Sequence, residues 1–104
     1  MTPKETRKEF DMQIKGMQVM IIDKIEASLT DDILILEEEK KVEINIDSMV
    51  RCSFSSNIRN LYNKRRADTI EFLKETYQNQ EWEVEQKLTS QTGDEIALIF
   101  SIKK

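Results

Sequence analysis

The residues best suited to chemistry lie together between positions 51 and 66. Arg51, Arg59, Lys64, Arg65 and Arg66 give this segment a charge of +5 with no acid among them. Residues 31–50 and 67–85 on either side each sum to −5. A lone basic block between acidic ones is a specific electrostatic feature. Its Asn60, Asn63 and Tyr62 add amides and an aromatic ring. Such a mixture can hold an acidic protein surface, or bind phosphate and stack a base. It can also pair internally with its acidic flanks. Arg59, Tyr62, Lys64, Arg65 and Arg66 are therefore the candidate partner-binding residues. A protein is the expected partner. Nucleic acid or a nucleotide is the alternative, disfavoured by the overall charge of −4.

Other constellations offer less. The chain has no histidine, so it has no imidazole base and no histidine metal ligand. One cysteine, Cys52, excludes an internal disulfide and a thiolate zinc cluster. Cys52 falls in an alternating apolar run and reads as a small core residue. Two glycines, Gly16 and Gly93, leave no phosphate-cradling loop. Ser53, Ser55 and Ser56 stand before a helix and read as caps rather than as half of a Ser-Lys dyad. Glu81, Glu83 and Glu85 repeat at period two and read as a solvated strand face, not a cation site. The expectation is a non-catalytic chain with no metal and no cofactor.

The elements that must position these residues follow from periodicity. Thr2, Pro3 and Glu5 form a helix-start signal. Phe10, Ile14, Met17, Ile21, Ile25 and Leu29 then continue one apolar stripe, predicting a helix over about residues 3–29 whose second half is the more buried. Gly16 interrupts it at a cost of about 1 kcal/mol, or admits a neighbouring backbone. Ile33-Leu34-Ile35-Leu36 reads as a short buried strand, and Val42, Ile44 and Ile46 alternate as a second. Val50, Cys52 and Phe54 suggest a third strand at 50–55, with a helix as the competing reading. Next comes either one helix over about 57–78 or a basic loop with a helix from about 66. The chain closes with a hairpin: Trp82, Val84, Gln86 and Leu88, a Ser90–Asp94 loop, then Ile96, Leu98, Phe100 and Ile102.

These elements predict one domain over residues 1–104, of α+β class. The expected architecture is two-layer: a four- or five-stranded, mostly antiparallel sheet with a long N-terminal helix and a second helix on one face. Ala97 and Ile99, on the other face, suggest partial cover there, and a chain this small gains core by forming a homodimer. The start Met1-Thr2-Pro3-Lys4-Glu5 is not an apolar leader, and the longest apolar run, Val19–Ile22, is too short to span a bilayer. No membrane and a cytoplasmic location are the expectations.

The layout resembles small α+β proteins of unknown function carried by bacteriophages and related mobile elements. The matching residues are Thr2-Pro3-Lys4-Glu5-Thr6-Arg7, Thr69-Ile70-Glu71-Phe72-Leu73-Lys74 and Trp82-Glu83-Val84-Glu85. Where such proteins usually have a glycine-aromatic junction after the second helix, this chain has Gln78-Asn79-Gln80-Glu81-Trp82. The resemblance implies a phage accessory role: a virion-associated protein, or an inhibitor that binds a host factor. It carries over no catalytic residue.

Overall fold

The start signal acts as its chemistry dictates. The Thr2 hydroxyl accepts from the Glu5 amide at 3.1 Å, and the Glu5 carboxylate accepts from the Thr2 amide at 3.4 Å. This reciprocal cap opens α1, Pro3–Asp31. In the computed structural model, which describes residues 2–89 and 95–102, α1 is followed by α2 (Ile33–Glu39), β1 (Lys41–Asn45), α3 (Ile46–Ser53), α4 (Ser56–Lys64), α5 (Arg66–Gln78), β2 (Trp82–Leu88) and β3 (Ile96–Ile102). The described residues form a three-stranded antiparallel sheet in the order β1-β3-β2.

The α1 stripe behaves as its spacing predicts. Met17, Ile21, Ile25 and Leu29 are buried, whereas Phe10 and Ile14 are half-buried. Residues 2–9 are exposed, so the first turns project beyond the core. Val42, Ile44, Leu98 and Phe100 share one sheet face, and they pack with the α1 stripe and with Ile70, Leu73 and Tyr77 of α5. The Tyr77 and Trp82 rings meet Phe100 edge-on, at 5.0 and 6.3 Å between centroids. Tyr77 also donates its hydroxyl to Glu26 at 2.8 Å, tying α5 to α1. Burial and this carboxylate push the Tyr77 phenol pKa up. The opposite sheet face carries exposed Glu43, Glu83, Glu85 and Lys87, with a 3.1 Å Lys87–Glu43 ion pair. Ala97 is nonetheless fully buried on it.

The four- or five-stranded sheet is not what the described residues form, because Ile33–Leu36, read as a strand, is helical, and at the proposed third strand the competing helical reading holds. Ile33-Leu34-Ile35-Leu36 begins α2 and buries only Leu36. Four apolar residues fit either period, and Glu37–Glu39 extend the helical option until Lys40 ends it in the left-handed region at φ 65°. Residues 46–53 form α3 because Asn45 caps it: its side-chain oxygen accepts from the Ser48 amide at 2.9 Å. Ile46 and Val50, four apart, are buried together, while Cys52 turns outward and is exposed rather than in the core. The same cap ends β1 at Asn45, two residues before Asp47. The basic segment takes a form between its two sequence alternatives: α4 and α5 meet at a single break, Arg65. The closing strands pair as predicted, from Trp82 opposite Ile102 to Leu88 opposite Ile96. The loop read at Ser90–Asp94 lies outside the described residues.

Candidate functional site: a polar cleft between α3 and α4

The α3 cap places Asp47 in the first turn of that helix, facing α4, α5 and the start of β3. Four donors converge on its carboxylate. Oδ1 accepts from the Tyr62 hydroxyl at 2.5 Å and from Arg66 Nε at 3.0 Å. Oδ2 accepts from the Ile96 amide at 2.6 Å and from Arg66 Nη2. Each oxygen thus has two partners, and four elements are joined at one residue. Burial pushes the Asp47 carboxyl up, but hydrogen bonds from Arg66, Tyr62 and the Ile96 amide outweigh it and hold the carboxyl below the usual 3.8. Burial and the neighbouring carboxylate drive the Tyr62 phenol pKa far up.

Beside this anchor lies an open cleft of about 620 Å³. Arg51, Arg59, Asn60, Asn63 and Glu95 stand along its walls. Arg51 donates from both terminal nitrogens to Glu95 Oε1 at 3.4 Å. Glu95 in turn accepts from Asn45 Nδ2 at 2.7 Å, so the base of the hairpin is fastened to α3. Two of the three cleft guanidiniums therefore have a carboxylate partner. Arg59 is half-buried and has no hydrogen-bond or ion-pair partner among the described residues.

The five sequence-predicted site residues do not form one patch. Tyr62 is 2% exposed and its hydroxyl is committed to Asp47, so its ring offers no face for stacking in this fold. Arg66 is half-buried against Asp47. Arg65 lies over the Phe10 ring at 5.3 Å and steadies the projecting start of α1. Lys64 is exposed on the opposite flank of α4, at the rim of a groove against α1. Arg59 alone of the five combines a wall of the cleft with an unclaimed charge. Sequence reasoning missed Asp47 as the anchor; Asn45-Ile46-Asp47-Ser48 signals only the start of α3, a cap residue followed by an acid in the first helical turn.

The described residues contain no cluster of three or more cysteine, aspartate or glutamate side chains able to hold a metal. None of their helices is long and apolar enough to cross a membrane. Comparison with protein-family models, curated proteins and solved structures finds no match for this chain.

Proposed function

We propose that the chain is a non-catalytic accessory protein, of the kind phages carry, that binds a protein partner through the α3–α4 cleft. One observation carries this reading: Arg59 stands half-buried in the cleft without an acidic partner, while Arg51 and Arg66 each have one. An unpaired, partly desolvated guanidinium favours a carboxylate brought from outside, held in a planar two-point contact. Asn60 and Asn63 beside it supply amides to the backbone or side chains of the same partner. The described carboxylates of the cleft are already engaged, Asp47 by four donors, which supports binding rather than acid-base chemistry. The nucleic-acid alternative is left with phosphate contacts alone, since Tyr62 is buried.

The test is a pull-down from a bacterial lysate, with and without nuclease. Wild type is compared with Arg59→Ser and with Lys24→Ser, an exposed control on α1. Tyr62 and Arg66 stay intact because they hold the fold. A specific protein captured after nuclease, retained by the Lys24 variant and lost with Arg59→Ser, is the expected result. Capture that requires intact nucleic acid moves the function to the alternative. Equal capture by all three proteins removes the cleft from the function.

A further inference from the structure

The opposite flank of α4 carries a second feature. A groove of about 690 Å³ runs between α1 and α4, with Met20, Ile58 and Leu61 along it and Lys64 at its rim. Gly16 lines it. A glycine inside a helix costs about 1 kcal/mol relative to alanine. No internal neighbour accounts for that cost, because a Cβ on Gly16 would meet nothing within 4 Å. The backbone approach that the sequence allows at Gly16 is thus not made by the chain's own described residues.

The chain also exposes a segment shaped for such a groove. On α2, Ile33, Leu34 and Ile35 are 57%, 74% and 44% exposed, and beyond the buried Leu36 come Glu37, Glu38 and Glu39, all exposed. One turn of apolar side chains runs straight into three acids. The groove offers the complement: an apolar floor, and a lysine with no acidic partner among the described residues. A chain cannot fill its own groove in this way. From Gly16 to the end of α1 is about 22 Å of helix, and Leu36 fixes α2 in the core at the far end.

We propose that the chain associates with a second copy of itself, α2 of one copy lying in the α1–α4 groove of the other. Leu34 and Ile35 enter over Gly16, and the Glu37–Glu39 run meets Lys64. The contact joins two different surfaces, so each pair can hold one such contact, or two if a twofold axis closes it. This inference is independent of the Arg59 cleft.

Sedimentation across the micromolar range tests it with three proteins: wild type, Gly16→Leu and Leu34→Asp. Gly16→Leu fills the groove, and the open space above Gly16 means it melts no lower than wild type. Leu34 is so exposed that Leu34→Asp also folds. The wild type is expected to associate, and each variant alone to do so at least about tenfold more weakly. An equimolar mixture of the two variants is expected to regain pairing, because the mixed pair keeps one intact groove and one intact α2. Added salt weakens the wild-type contact by screening the Lys64–glutamate attraction. A wild type that sediments as one chain throughout overturns the proposal. So do variants that associate as wild type does, or a mixture that pairs no better than its components.

Discussion

Replacing Asp47 with asparagine tests the anchor on which the cleft rests. Asparagine keeps the shape but has one acceptor oxygen and one amide. Turned one way, its NH₂ faces the Ile96 amide and Arg66 Nη2; turned the other, it faces Tyr62 and Arg66 Nε. One or two of the four hydrogen bonds are lost, one where the Tyr62 hydroxyl rotates to accept from the NH₂, and all that remain go to a neutral group. Hydrogen bonds to a charged group contribute about 1.5–3 kcal/mol each, and the open side of Arg66 limits the loss. The expected cost is about 2–4 kcal/mol, a large share of the roughly 5–15 kcal/mol of a typical domain. That corresponds to a melting temperature lower by roughly 10–25 °C. Urea unfolding followed at Trp82, the chain's one tryptophan, measures it directly, because the indole packs against Phe100 in the fold. Tyr62→Phe removes one of the four bonds and should cost about 1–2 kcal/mol. The Asp47 carboxyl titrates lower in the folded chain than the usual 3.8, so its stabilisation is complete above that value and is lost as the pH falls below it. The gap between wild type and Asp47→Asn should therefore be flat from about pH 5 to about pH 8 and shrink in more acidic solution. A cost under about 0.5 kcal/mol, or equal costs for Asp47→Asn and Tyr62→Phe, would refute the convergence argument.

Three further outcomes follow from other sites. Thr69 is fully buried on α5, and its hydroxyl has no hydrogen-bond partner among the described residues. Thr69→Val should raise stability by about 1 kcal/mol in the same urea assay, whereas a loss of that size would reveal a partner for the hydroxyl. Lys40 ends α2 in the left-handed region, so Lys40→Gly should stabilise by about 1 kcal/mol, read as a higher melting temperature. Cys52 is exposed on α3 and should react with a thiol reagent in the native protein as fast as in urea; strong native protection would contradict its placement.

The sequence discloses most where a period runs long. The α1 stripe holds its spacing for more than five turns, with Phe10 and Ile14 half-buried and Met17, Ile21, Ile25 and Leu29 buried, while Val19 and Met20 beside it stay exposed. The closing strands alternate over seven residues each and pair in the expected antiparallel sense. Short runs fail for a physical reason. Four consecutive apolar residues such as Ile33–Leu36 show no alternation and span barely more than one helical turn, so their neighbours decide. There the deciding neighbours are Glu37–Glu39, which favour the helix, and at α3 the decision falls to the Asn45 cap. Asp47 was hidden for a different reason. Its partners Tyr62, Arg66 and Ile96 lie 15, 19 and 49 residues away, and no local pattern reports contacts of that span.

The basic segment shows why composition alone overstates a site. Between positions 59 and 66 the chain turns through about two helical turns and breaks at Arg65, so adjacent cations must face different ways. Arg66 turns inward to Asp47, Arg65 reaches back to Phe10, Lys64 stands over the groove and Arg59 over the cleft. A binding surface that needed all four charges together would require unwinding α4 and breaking the Asp47 anchor. A surface that needs one charge on each flank requires neither. The helix therefore divides one charge block between two flanks, each with one cation that has no carboxylate partner among the described residues. Arg59→Ser should abolish partner capture and leave self-association intact, and Gly16→Leu should do the reverse. Loss of both properties in either variant would mean that the two flanks of α4 act as one surface.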